Sequence, residues 1–197
     1  MFRKKDLLGL KDMTVEELTG ILDHAESMKE AFVGGRQLNN LSGKCVTTLF
    51  YENSTRTKNS FETAARCLGA RTMSVSAATS SVQKGESLID TGRTLDALRT
   101  DAIVIRHSMA GAPDLLASHV RASVINAGDG MNEHPTQSLL DLFTMRENFG
   151  TIKGLKVVLV GDVKHSRVAR SNIWALSKLG AEVVVVAPYT LIPKGVE

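Results

Sequence analysis

Six short runs rich in β-branched residues, "KCVTTLF", "RTMSVS", "DAIVIRH", "ASVINAG", "LKVVLVGD" and "AEVVVVAP", recur along the chain, and each of the first five is followed by a segment with helical spacing of apolar residues. Strands of this kind are apolar on both faces, and alternation with helices covers both, so the expected class is α/β with a parallel sheet flanked by helices. The helix signals are local. Thr14-Val15-Glu16-Glu17 has the spacing of a capping box, and Val15, Leu18, Leu22, Ala25 and Met28 continue it at helical period. Phe61, Ala64, Ala65 and Leu68 share one face of a second helix that Gly69 ends, and Pro135 suits a first helical turn. Past Gly150 and Gly154 the pattern restarts, which predicts a boundary near Gly150: residues 1–150 form one domain and 151–197 open a second. Two strands do not sustain a sheet domain alone.

Composition narrows the function classes. The sequence is 43% hydrophobic with a net charge of +3, too little positive charge, and too scattered, for a nucleic-acid surface. No apolar run is long enough to span a bilayer, and "MFRKKDLLGLKDM" lacks the features of a secretory signal, so the cytoplasm is the default location. Cys45 and Cys67 have no His or Cys at ligand spacing and read as reduced packing residues, giving neither a disulfide framework nor a zinc site.

The stretch "LFYENSTRTKNSFE" sets Ser54, Thr55, Arg56 and Thr57 between an apolar strand and a helix start. Unpaired N–H groups at a helix N-terminus carry the positive end of the dipole and form a natural anion seat. Three hydroxyls and a guanidinium there suit a phosphate, although Ser and Thr serve equally well as helix caps. Two further strand ends bear polar groups: "DAIVIRH" ends on Arg106 and His107, and "NAGDGMNEHPTQ" leads through a Gly-rich turn to His134, Pro135, Thr136 and Gln137. In open parallel sheets ligands collect beyond the carboxyl ends of strands, so these residues are expected on one rim.

Together "FYENSTRT", "SVQKGES", "DAIVIRH", "HPTQSLLDL" and "GDVKHSRVARS" resemble the aspartate carbamoyltransferase catalytic chain, in order and approximate spacing. The resemblance implies transfer of the carbamoyl group of carbamoyl phosphate to the amine of L-aspartate in pyrimidine synthesis, without metal or organic cofactor. It implies that Ser54, Thr55, Arg56 and Thr57 hold the phosphate and that Arg106, His134 and Gln137 bind the carbamoyl end. Arg106, His134 and Thr57 would stabilise charge on the carbamoyl oxygen, with the departing phosphate taking the amine proton. Lys84, with Ser80 or Ser81, would reach into a neighbouring subunit, making the site shared and the assembly a homotrimer; regulatory chains are a further partner of such trimers. Arg167 would bind an aspartate carboxylate, and Glu52 would pair with it across the cleft, so that Glu52→Gln weakens aspartate saturation more than carbamoyl phosphate binding.

The same resemblance implies two domains of comparable size, whereas the sequence stops at Glu197 with the second only begun. A later arginine loop, a Leu-Pro segment and a C-terminal helix of the family have no counterpart in it. Anion binding with weak or no turnover is therefore expected, as is apolar surface left exposed on the first domain, with aggregation as its consequence. Ornithine carbamoyltransferase is the nearest alternative enzyme, against which Glu52 and Lys84 argue. A carbamoyl-phosphate-binding fragment without turnover is an alternative of another class. Dinucleotide binding by "VVLVGDVKHSRVARS" is disfavoured, because the Gly-x-Gly-x-x-Gly turn is absent.

Overall fold

A computed structural model describes residues 4–76 and 85–195. In chain order the elements are α1 (Val15–Val33), β1 (Cys45–Phe50), α2 (Thr55–Cys67), β2 (Arg71–Ser76), α3 (Leu88–Ala97), β3 (Ala102–His107), α4 (Ala112–Ala117), β4 (Ser123–Asp129), α5 (Pro135–Phe149), β5 (Lys156–Val160), α6 (Arg167–Lys178) and β6 (Glu182–Val186). The expected capping box opens α1: the Thr14 hydroxyl accepts the Glu17 N–H at 3.2 Å, and the Glu17 carboxylate accepts the Thr14 N–H at 3.0 Å. Pro135 is the first residue of α5, where its missing N–H costs nothing.

Four strands form one parallel sheet in the order β2-β1-β3-β4. The chain leaves β1 toward β2 and then crosses back to β3 on the other side of β1, so the strand order reverses between β1 and β3. A reversal opens a crevice at the carboxyl ends of the two strands, where the connecting helices splay to opposite faces. Side chains alternate accordingly. Leu49, Ile103, Ile105 and Val124 pack with Leu95 of α3 and Leu116 of α4, while Val46, Phe50, Val104 and Ala127 pack with Ala65 of α2. The buried threonines of β1 are paired: Thr47 shares a 2.9 Å hydrogen bond with Thr100, and Thr48 donates to Glu62 at 3.0 Å.

Not every strand is covered on both faces as the sequence pattern implies. β2 is half-exposed because it is an edge strand, and β5 and β6 make a separate parallel sheet whose outward valines, Val158, Val160 and Val186, lie in solvent. The other face of that pair, with Val157 and Val183, joins a third core of Leu10, Met13, Leu18, Leu22, Leu139, Leu142, Ile152, Ala175 and Leu176. Helices α5 and α6 thus share apolar surface with α1, and Ile152, Ala175 and Leu176 from after residue 150 pack against residues from before it. The free edge of β4 is closed by the N-terminal segment: Leu7 N–H donates to the Val124 carbonyl at 2.9 Å and the Asn126 N–H to the Leu7 carbonyl at 2.9 Å.

Candidate active site

Where the strand order reverses, Arg106 at the end of β3 is joined by residues that follow β1 and β4 and by the start of α6. Glu52, two residues past β1, is the centre of an ion-pair cluster. Its Oε2 accepts from Arg106 Nε at 3.1 Å and from Arg167 Nη2 at 3.0 Å. Both guanidinium groups continue to backbone carbonyls, Arg106 to Ala127 of β4 at 3.4 Å and Arg167 to Gly130 of the β4–α5 loop at 3.3 Å. Arg167 also lies directly over Gly128. At φ 113° that residue has a backbone few side chains adopt, and a Cβ there would sit 2.9 Å from Arg167 Nε. Burial, then repulsion from Arg167, lowers the pKa of Arg106, and the Glu52 carboxylate works against both.

His134 is the N-cap of α5 and is buried. Burial first, and then the charges of Arg106 and Arg167, push its imidazole down to about 4, with Asp141 opposing. It is therefore neutral at physiological pH and able to donate one hydrogen bond without carrying charge. Gln137, one turn later, donates to Asp141 Oδ1 at 2.9 Å, and Asp141 Oδ2 accepts from Asn172 of α6 at 2.9 Å. His107 serves the structure instead, with its ring 4.4 Å from that of Tyr51 and its Nδ1 accepting the Met109 N–H at 2.9 Å.

The helix starts answer whether the hydroxyls of residues 54–57 are caps. Thr14, Ser87 and Ser166 each accept a backbone N–H of the helix they precede. Ser54, in the same position before α2, makes no side-chain capping bond, and the first turn of α2 holds no acidic residue. The start of α5 is alike in both respects. At these two helix starts the N-cap side chain makes no capping bond and the first turn holds no carboxylate, which suits them to an external anion, although the His134 N–H is taken by the Ser171 hydroxyl.

Arg106, His134, Arg167 and Glu52 converge, with Gln137 one turn further along α5. Ser54, Thr55 and Thr57 lie at the adjoining helix start. Arg56 stands apart: it is exposed and lines a groove between α1 and α2 with Asn59 and Ser60, and no hydrogen bond or ion pair joins it to His134 among the described residues. Ser80, Ser81 and Lys84 lie outside the described residues. Sequence reading passed over the groups that shape the β4–α5 loop. Buried Asp129 accepts from the Gly111 N–H at 2.8 Å, Asn126 Nδ2 at 2.8 Å, Asn132 Nδ2 at 3.0 Å and the Glu133 N–H at 3.0 Å. An acid between two glycines and close to two amides, in "NAGDGMNE", was the available signal.

A parallel α/β unit with arginines and a neutral imidazole gathered at its strand reversal, beside two helix starts without N-cap side-chain bonds, is the kind of fold and site suited to an anionic small molecule. Its lineage is equally definite. Residues 5–147 match the carbamoyl-P binding domain of the aspartate/ornithine carbamoyltransferases, and the chain belongs to that family. It is 61% identical to the aspartate carbamoyltransferase catalytic subunit of Moorella thermoacetica over 99% of its own length and 64% of the relative's. Against that of Acetivibrio thermocellus the values are 60%, 98% and 62%. The chain thus spans less than two thirds of these relatives. Among solved structures, the catalytic subunit of M. jannaschii aspartate transcarbamoylase superposes with a TM-score of 0.90 at 44% identity, covering 98% of this chain and 64% of that one. A Trypanosoma cruzi aspartate transcarbamoylase in complex with carbamoyl phosphate and aspartate superposes at 0.92 with 34% identity, covering 97% and 61%.

Proposed function

We propose that this chain binds carbamoyl phosphate at the crevice between β1 and β3 and carries the carbamoyl side of an aspartate carbamoyltransferase, an early step of pyrimidine synthesis. Attack by the aspartate amine nitrogen on the carbamoyl carbon forms the C–N bond and breaks the bond to the phosphate oxygen. Phosphate departs, and the amine proton leaves with it. Ser54, Thr55 and Thr57 with the start of α2 hold the phosphate, joined by Arg56 once its side chain turns from the groove toward the rim. Arg106 and His134 face the carbamoyl oxygen, where a neutral imidazole is the right species: it donates without repelling the neighbouring cations. Gln137 contacts the carbamoyl amide, and Arg167 takes an aspartate carboxylate once Glu52 gives way.

The observation that carries this reading is the approach of Arg106, Arg167 and His134 beside two helix N-termini without side-chain caps. The domain boundary near Gly150, a homotrimer whose sites are completed by Ser80, Ser81 and Lys84 of a neighbour, association with regulatory chains, and a cytoplasmic location belong to the same proposal. Among the described residues no helix is long and apolar enough to cross a membrane.

Calorimetric titration with carbamoyl phosphate, paired with turnover assays on aspartate and on ornithine, tests it. Saturable binding that Arg106→Ala weakens by about a hundredfold is expected, this being the scale of losing a charged donor at such a site. Turnover of aspartate and not ornithine supports the aspartate enzyme, and binding without turnover restricts the chain to the carbamoyl phosphate half. Absence of binding overturns the reading.

A further inference from the structure

Glu133 precedes His134 and is 5% exposed, an unusual place for an acid with no cation in contact among the described residues. Its carboxylate is engaged by neutral donors. Oε2 accepts the Leu10 N–H at 2.8 Å and the Ser171 hydroxyl at 2.9 Å, and Oε1 accepts the Lys11 N–H at 3.3 Å. A hydroxyl has a single proton, and a carboxylate can only accept. Ser171 must therefore spend its proton on Glu133, which leaves its lone pairs turned toward the His134 N–H, accepted at 2.9 Å.

The chain of bonds thus runs from the N-terminal segment, through Glu133, to α6 and back to the peptide that begins α5. The N-terminal segment is itself fixed, since it is laid along β4 by the Leu7 bridge, and Asn126 donates to the Leu8 carbonyl at 2.8 Å. Gly9 completes the fit: a Cβ at that position would lie 2.5 Å from Glu133 Oε1. Ser171 stands one helical turn beyond Arg167 on α6, so the same helix face sets a guanidinium over Gly128 and an oxygen against His134.

We propose that Glu133 is a positioning residue: through the Ser171 hydroxyl it sets the first peptide of α5, and with it the direction of the His134 imidazole, while Gly9 keeps the space its carboxylate needs. The inference rests on the reading of His134 as the residue at the carbamoyl end. It assigns to the N-terminal segment, remote from any substrate atom, control over the donor that meets the carbamoyl oxygen.

Three variants of the full chain test it. Glu133→Gln keeps the shape but replaces an accepting oxygen by an NH2 group that faces backbone donors. Ser171→Ala removes the relay. Gly9→Ala adds one methyl group and leaves both hydrogen-bonding side chains chemically intact, acting only by displacing the Glu133 carboxylate, so it serves if the others fold poorly. Each is expected to shift the His134 amide and imidazole NMR resonances in ligand-free protein. Each should weaken carbamoyl phosphate binding about tenfold, the loss from one misaligned hydrogen bond, and inorganic phosphate binding less than about twofold. Unchanged His134 resonances in all three variants, or an equal loss for both ligands, would overturn the proposal. Should wild-type protein not bind carbamoyl phosphate at all, the functional reading falls, and the ligand-free resonances still decide the role of Glu133.

Discussion

At the scale of single residues, the site is governed by which groups are charged. His134 is a buried base whose folded pKa, about 4, lies below the ordinary value of 6.5. Between those values the unfolded chain binds a proton that the folded chain refuses, so stability rises with pH across this window and is lost as pH falls from about 6.5 toward 4. The stability lost between neutral pH and pH below 4 is on the order of 3 kcal/mol, since each tenfold loss of proton affinity corresponds to about 1.4 kcal/mol. Urea unfolding of wild-type protein and of His134→Asn, followed from pH 4 to 7, checks it. The difference between the two is expected to steepen across the window, and parallel curves would contradict the assignment. Glu52 shows a related economy: one carboxylate oxygen answers two arginines, so on the proposed reading a substrate anion would have to compete with a group already seated.

At the scale of elements, the contrast among helix starts separates stability from binding. Ser87 accepts the Asp90 N–H at 3.2 Å, whereas Ser54 makes no such bond to α2. Ser87→Ala is expected to cost about 1 kcal/mol of stability and to leave anion binding unchanged. Ser54→Ala is expected to cost little stability and to weaken carbamoyl phosphate severalfold. Thermal unfolding and calorimetry on the same two samples make the comparison, and a reversed pattern would identify Ser54 as an ordinary cap. The β4–α5 loop belongs to this scale as well. Four donors converge on Asp129, and that fixed turn delivers Glu133 and His134 to their places.

At the scale of the whole molecule, the unequal treatment of the two sheets matters most. The four-stranded sheet has helices on both faces, but the β5–β6 pair shows Val158 at 49%, Val160 at 76% and Val186 at 50% exposure on one face. Such a surface favours self-association. Light scattering against concentration is expected to show association of the wild-type chain, and Val160→Lys to reduce it without lowering the unfolding temperature appreciably, since the side chain is mostly in solvent. Concentration-independent scattering by wild type would refute this. Apolar side chains are likewise exposed at Phe32 and Val33 near the end of α1, within residues 1–150, where exposed apolar surface is expected from the sequence; the valines of the β5–β6 pair lie outside that range.

The sequence alone determined what depends on neighbours along the chain. Alternating β-branched runs and capped helical segments specified the parallel α/β class, and the motifs ending on Arg106 and opening at His134 marked strand and helix ends, because those signals are local. Arg167 was legible only through resemblance, since nothing in its own surroundings distinguishes it from a surface arginine. Only the tertiary structure decided the rest. The pairing of Glu52 with Arg167 is expected through the resemblance, but the second partner of Glu52, Arg106, is not: these two meet because β1 and β3 are adjacent in space. Glu133 becomes buried and fully bonded because residues more than a hundred positions earlier fold onto it. Those pairings join segments far apart in sequence, and no pattern within a single segment encodes which donor will arrive from another.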